Sequence, residues 1–423
     1  MGTEELKEKV NYCLKCKLKP CSEKGCPLGN NIPEFIEAIK EEKIEKAYNI
    51  LLDTTVLSGV CGRICPHKRQ CEGSCIRGIK GQPVSIGELE AFVFDEVNKE
   101  KNRMENDCKK KENKGDKKVA VIGGGPAGLT ASAFLAREGI EVTIYEKHDY
   151  LGGLLVHGIP DFRLPRKTIE DTIENILSLG IEVEYNKQLG KNLKLEDLVK
   201  QYDAVFLSVG ANISSKMGII GEELDGVYGG NELLEYNLHP NYEGKTVAVI
   251  GGGDVAMDCA RTVKKLGAKE VKVIYRRSKE EMPAGEKEVE AAINEGVDFI
   301  CQNNILKIIG DNKVEKIELI KTKLIKKEGE SRLCPINIEN SNYEMNIDYV
   351  IMAIGSKVEK TIKELGLDTN EYGNIKINEE YQTSNLKIYA GGDLAGVKST
   401  VAWAAYSGRE AAKNIINNIK NKK

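Results

Sequence analysis

Residues 119–153, VAVIGGGPAGLTASAFLAREGIEVTIYEKHDYLGG, constrain this chain more than any other stretch. Val119, Ala120, Val121 and Ile122 form a short apolar run suited to a buried parallel strand. Gly123, Gly125 and Gly128 follow at G-x-G-x-x-G spacing, and the small and apolar residues of a helix come next. A second strand over 141–145 delivers Glu146, 23 residues after Gly123. The glycines permit a tight turn and close backbone approach. The helix N-terminus faces a pyrophosphate, and the carboxylate accepts a ribose hydroxyl. Because the glycines sit in a whole strand–helix–strand ending in an acid, the pattern predicts a dinucleotide site rather than a stray turn.

The pattern then repeats. An apolar strand over 246–250 leads into Gly251, Gly253 and Ala256 at G-x-G-x-x-A spacing, a helix to about Leu266, and a strand over 271–275 ending in Arg276-Arg277. Setting Tyr145-Glu146 against Tyr275-Arg276 exchanges a carboxylate for a guanidinium. A carboxylate suits a free ribose, whereas arginine suits a 2′-phosphate through charge-assisted bonds. The first fold is therefore expected to take FAD or NAD, and the second NADP(H). Residues 348–355, DYVIMAIG, echo 202–211, YDAVFLSVGA. Between the repeats, residues 154–166 (LLVHGIPDFRLPR) are too rich in proline and charge for a helix or strand interior. His157 there reads as structural, and Cys259 as a packed small residue.

Twelve cysteines matter by position. Eight precede residue 76, in Cys13-x2-Cys16-x4-Cys21-x4-Cys26 and Cys61-x3-Cys65-x5-Cys71-x3-Cys75. Acids exceed bases by three, 65 against 62, so no global charge points to nucleic acid or membrane. There is no bilayer-length apolar run and no signal-peptide core at the start, which makes a cytoplasmic compartment the expectation. Thiols stay reduced there, so the crowded cysteines read as metal ligands. Iron–sulfur clusters tolerate irregular spacing and shared segments; structural zinc, which favours paired C-x2-C, is the rival. Helices are expected after Asn31 as cap, with Ile32, Phe35, Ile36 and Ile39 on one face, and again over 44–52. The charged run 109–118 reads as a solvated linker. Near the C-terminus, an extended run ends in Gly391-Gly392-Asp393, and a helix is expected from about Thr400 to Asn417.

Taken in order, the N-terminal cysteines, GRICP, CEGSC, PVSIGELE, VIGGGPAGL, GGLLVHGIPDFRLP, VIGGGDVAMDCAR, VIYRRSKEEMPA and AGGD resemble the small (beta) subunit family of bacterial NADPH-dependent glutamate synthase. That family includes subunits of ferredoxin:NADP oxidoreductase and sulfide dehydrogenase. The resemblance implies an α/β fold: a helical iron–sulfur domain (1–106), a linker (107–118), an FAD domain (119–242 and 383–423) and an NADPH domain inserted in it (243–382). It implies two [4Fe–4S] clusters, one on Cys13, Cys16, Cys21 and Cys75, the other on Cys26, Cys65, Cys71 and a ligand from the 86–90 stretch. Glu90 matches a position where some members use glutamine, and Cys61 is the rival. FAD would be held by Gly123, Gly125, Pro126, Ala127, Gly128, Glu146, Gly153, Leu154, Arg163, Gly392, Asp393, Thr400 and Val401. NADPH would be held by Gly251, Gly253, Asp254, Val255, Ala256, Arg276 and Arg277. The implied activity passes hydride from NADPH to FAD and single electrons through the clusters to a larger partner subunit that makes glutamate, with no protein nucleophile. The alternatives are a ferredoxin-linked, electron-bifurcating or sulfide-dehydrogenase subunit and a free-standing NADPH-linked reductase.

Overall fold

Alternation along two strands builds the second nucleotide fold. In Thr246–Ile250 and Glu270–Tyr275, Val247, Val249, Val271 and Val273 turn to one face and pack with Ala256, Met257, Cys259 and Val263 of the helix Asp254–Lys265. Ala248, Ile250 and Ile274 turn to the other, against Ile305, Ile308, Ile317 and Leu319. These last residues belong to an antiparallel sheet of Asn303–Ile309, Lys316–Ile325, Cys334–Asn337 and Tyr343–Asn346. The sequence patterns above do not signal it.

The computed structural model describes residues 2–101, 115–329 and 332–420. Cys108 and most of the expected linker lie outside the described residues. Two five-stranded parallel sheets carry the nucleotide folds. The first runs Ile388–Ala390, Ala204–Leu207, Lys118–Ile122, Glu141–Tyr145, Glu182–Glu184. The second runs Val227–Gly229, Tyr349–Met352, Thr246–Ile250, Glu270–Tyr275, Asp298–Cys301. In each, the strand leading into the glycine loop is central and strand order reverses beside it, the place where such sheets bind ligands.

The chain divides into two compact units, Met1–Val156 with Asp161–Ala211 and Val358–Lys423, and Asn212–Lys357 with His157–Pro160. The seams differ from an insertion spanning 243–382. Val227–Gly229 already pairs with Tyr349–Met352 in the second sheet, while Ile362, Leu367 and Ile375 pack with Ile122 and Leu207 of the first.

Before the first sheet, the helices Ile32–Lys40, Ile44–Leu52, Ser58–Ile64 and Ile86–Lys101 enclose a core of Phe35, Ile36, Ile39, Leu51, Leu89 and Val93. Asn31 occupies the cap position, but its side chain does not cap; its Oδ1 accepts from Lys19 Nζ at 2.9 Å. Residues 154–166 also depart from expectation, since Leu154–His157 form one helical turn. No helix among the described residues is long and apolar enough to cross a membrane.

Candidate functional site

Close approach explains why distant cysteines meet. A Cβ on Gly25 would fall 2.8 Å from both Cys71 Cα and the Gln70 carbonyl, so only glycine lets the Cys26 segment lie on the Cys71 segment. A Cβ on Gly62 would meet the Ala91 amide at 2.6 Å, so the Cys61–Cys65 helix lies directly on the helix bearing Glu90.

Two thiol sets result. Cys13, Cys16, Cys21 and Cys75 line one small pocket, walled by Ile32, Ile36, Val84 and Ile86. Among the described residues no three Cys, His, Asp or Glu converge tightly enough for a single ion. Four thiols around one pocket are a donor set that an iron–sulfur cluster uses. In the second set the Cys65 amide donates to the Cys61 carbonyl at 3.2 Å, and burial, followed by the nearby Glu90 charge, pushes the Cys71 thiol up. Burial, followed by the nearby Glu90 charge, pushes the Cys26 thiol up to about 12. Burial pushes the Glu90 carboxyl up to about 8, against the opposing hydrogen bond from Asn30 Nδ2 (3.3 Å to Oε1). Buried thiols and a buried carboxyl that resist ionising are a donor set fitted to a cationic iron centre, which binds their deprotonated forms. Both Glu90 and Cys61 stand in this group.

The flavin-type loop is held by its own carboxylate. Glu146, 4% exposed, accepts the Gly124 amide at 2.7 Å through Oε2 and the His148 amide at 3.0 Å through Oε1. Gly123 turns with φ +98°, and a Cβ there would strike the Ser208 carbonyl at 2.6 Å. Gly125 is different: a Cβ there finds only Gly153 Cα, at 4.0 Å. Gly153, at φ +54°, packs on Gly125, where a Cβ on it would meet Gly125 Cα at 3.0 Å, so the open space lies on the Cβ side of Gly125, at the start of the helix Pro126–Arg137. Gly392, at φ +63°, donates its amide to Ser407 Oγ at 2.8 Å, and a Cβ on it would reach Ala127 Cβ at 3.3 Å. Asp393 thus returns beside the first loop, and burial raises its carboxyl pKa. Thr400 Oγ1 accepts the Trp403 amide at 3.4 Å at the start of Val401–Lys420. Leu154 opens the one-turn helix and Arg163 lies half-buried in the turn beyond it.

In the second fold Gly251 turns at φ +144° and Gly253 caps the helix Asp254–Lys265. A Cβ on Gly253 would meet only Pro283 Cγ, at 3.9 Å. Asp254 Oδ1 accepts the Gly285 amide at 3.1 Å, Val255 is half-buried and Ala256 is fully buried. The sheet register corrects one alignment. Ile122 faces Tyr145, but Ile250 faces Ile274, so the counterpart of Glu146 is Tyr275 and not Arg276. Side chains agree: a Cβ on Gly124 would meet Glu146 Oε2 at 3.2 Å, and one on Gly252 would meet the Tyr275 ring at 2.6 Å. Arg276 follows one residue later and is exposed, while Arg277 Nε donates to the Leu333 carbonyl at 2.9 Å.

Sequence reasoning missed Ser208, whose hydroxyl donates to the Gly123 carbonyl at 2.9 Å. It stands where the echoing segment has Ala353, and a column-by-column comparison of the two segments would have exposed it. Asn30 and Ser407 carried no such signal.

The pyridine nucleotide-disulphide oxidoreductase family matches residues 117–414. The chain belongs to that family. Its N-terminal residues 1–102 match the dihydropyrimidine dehydrogenase domain II, 4Fe–4S cluster, family, so this oxidoreductase carries an iron–sulfur domain ahead of its nucleotide folds. It is 35% identical over 98% of its length to the glutamate synthase [NADPH] small chain of Escherichia coli, spanning 91% of that protein. It is 36% identical to AegA of Escherichia coli, an oxidoreductase by name, over 98% of its own length but spans only 66% of that relative. In fold, this oxidoreductase matches Mycobacterium tuberculosis FprA in complex with NADPH over 72% of its length and 85% of FprA, at 19% identity and a TM-score of 0.65.

Proposed function

We propose that this oxidoreductase is NADPH-dependent, with FAD in the first fold, NADPH in the second, two [4Fe–4S] clusters in the N-terminal helices, and a larger partner subunit as the destination of its electrons. The contrast between Glu146 and Tyr275-Arg276-Arg277 at equivalent strand ends carries the reading. A carboxylate accepts from a free ribose and repels a 2′-phosphate; a tyrosine followed by arginines removes the repulsion and supplies donors. When bound, FAD accepts hydride from NADPH and the clusters carry electrons singly. The protein's task is placement. Gly125 leaves room for the flavin pyrophosphate, Gly153 packs closely beside it, Glu146 holds both loop and ribose, and Asp393 with Thr400 and Val401 closes from the C-terminal side. Gly253 and the helix start behind it leave the corresponding room for NADPH, with Asp254 fixing the neighbouring Gly285 turn. Cys13, Cys16, Cys21 and Cys75 hold one cluster; Cys26, Cys65, Cys71 and Glu90 hold the other. The similarity to a protein named as a small chain supports the larger partner.

The test is an anaerobic titration of the purified protein with NADPH and then NADH, following flavin and cluster absorbance together. Bleaching by NADPH and much weaker bleaching by NADH is the expected result. No bleaching in a preparation that contains FAD and iron would mean electrons enter from the cluster side, and would sink the proposed direction.

A further inference from the structure

Arg409 lies on the C-terminal helix that packs against the first nucleotide fold, yet its guanidinium reaches into the cysteine domain. It is 7% exposed. Its Nη1 donates to the Leu28 carbonyl at 2.8 Å and to the Thr54 carbonyl at 2.9 Å. Its Nε donates to Glu410 Oε1 at 2.9 Å, and that same carboxylate oxygen takes Lys413 Nζ at 2.9 Å, so the trio keeps one net positive charge. Leu28 lies two residues beyond Cys26. Thr54 Oγ1 donates to Asn30 Oδ1 at 2.6 Å, and Asn30 Nδ2 donates to Glu90 Oε1. One chain of hydrogen bonds therefore runs from Arg409 through Thr54 and Asn30 to the Glu90 carboxylate.

A guanidinium cannot shed its proton, and burying it is costly. A well-packed apolar side chain in its place is often neutral or stabilising, so stability alone is a weak account of Arg409. Net charge and hydrogen bonding around an iron–sulfur centre are what set its potential. We infer that Arg409 is a positioning residue for the Cys26, Cys65, Cys71 and Glu90 centre, fixing the Leu28 and Thr54 backbone and the Glu90 carboxylate and making that centre easier to reduce. The inference rests on the ligand set proposed above.

The experiment is a mediated redox titration of the purified holoprotein, following the electron paramagnetic resonance of the reduced clusters, with Arg409→Gln, Arg409→Lys and Thr54→Val. Arg409→Gln is expected to make one cluster about tenfold harder to reduce at fixed potential, 59 mV for one electron. Arg409→Lys keeps the charge and stays near the parent. Thr54→Val keeps the charge but cuts the link to Asn30, and changes the cluster line shape. Parent-like potential and line shape in Arg409→Gln, with only thermal stability lowered, would make Arg409 a fold anchor and overturn the inference. If Arg409→Gln fails to fold, a parent-like line shape in Thr54→Val overturns it instead. The mediators make the titration independent of NADPH, so failure of NADPH to bleach the flavin counts against the functional reading alone. A Glu90→Ala protein with parent-like clusters counts against the ligand set.

Discussion

Glu146 and Tyr275 occupy the same place in two copies of one fold. Each follows the residue that faces the last strand residue before its glycine loop, and each lies against the middle glycine, Gly124 or Gly252. The replacement of an acid by an aromatic removes the carboxylate from that strand end, and the arginines come after it. Tyr275→Glu should restore the repulsion. We expect kcat/KM with NADPH to fall on the order of 100-fold, ~2.8 kcal/mol, with a much smaller loss for NADH. Tyr275→Phe, which loses only the hydroxyl bonded to the Glu281 carbonyl at 2.9 Å, is the control for stability. Equal losses with both nucleotides would remove Tyr275 from the discrimination.

The two arginines are not equivalent. Arg277 is engaged with the Leu333 carbonyl, whereas the Arg276 side chain is exposed at the strand end. Arg276→Gln should therefore raise KM for NADPH roughly tenfold, the value of one charge-assisted bond of ~1.5 kcal/mol, leaving NADH unaffected. Arg277→Gln should change KM less and lower thermal stability more. Steady-state kinetics with both nucleotides would distinguish them, and the opposite ranking would reverse the roles.

Iron analysis separates Glu90 from Cys61. Both sit in the second thiol set, and Cys61 lies one helical turn before Cys65, whose amide donates to its carbonyl at 3.2 Å. Glu90→Ala is expected to lose about half the bound iron while Cys61→Ser keeps it, as two clusters with Glu90 ligating one require. Loss from Cys61→Ser alone would exchange the two assignments.

Much of this was legible in the sequence, for a physical reason. Glycine loops, strand alternation and cysteine crowding are local constraints, so Gly123, Gly251 and the Cys13 and Cys61 groups announce themselves. The one-residue slip between Arg276 and Tyr275 was not legible, because the second helix and turn are one residue longer and only strand pairing reveals it. Arg409 was invisible for another reason: its acceptors are the backbone carbonyls of Leu28 and Thr54, and any residue supplies a carbonyl. In the antiparallel sheet over 303–346, Lys316–Ile325 does alternate in part, but Cys334–Asn337 and Tyr343–Asn346 are four residues each, too short for a period-2 pattern to stand out.

Both folds also share an acid tie. Asp203 Oδ2 accepts the Lys118 amide at 2.8 Å and Asp348 Oδ2 accepts the Thr246 amide at 2.9 Å, with Lys117 and Lys245 Nζ on the other oxygens. Burial alone would raise both carboxyls, but the amide and ammonium outweigh it and hold them low. A depressed folded pKa gives stability that is present above the unfolded value of about 3.9 and lost as pH falls through the folded one. Asp203→Asn and Asp348→Asn should each cost under ~1 kcal/mol at pH 7, since the groups are partly solvated, and flatten the decline of stability below about pH 4. Thermal unfolding at a series of pH values reads this; an unchanged acid limb in the double variant would exclude the pair.

Finally, two glycines separate architecture from binding. A Cβ on Gly408 would strike the Ala127 carbonyl, because the helix Val401–Lys420 lies directly on Pro126–Arg137. Gly408→Ala must pry these helices apart, and overpacking of that kind costs about 1–3 kcal/mol. A Cβ on Gly253 meets nothing nearer than Pro283 Cγ at 3.9 Å, so Gly253→Ala should fold as the parent does. Its methyl would project into the space proposed for the NADPH pyrophosphate. Gly408→Ala is thus expected to lower Tm with KM for NADPH unchanged, and Gly253→Ala to raise that KM with Tm unchanged. A Gly253→Ala protein with parent-like KM would place the nucleotide elsewhere on the second fold.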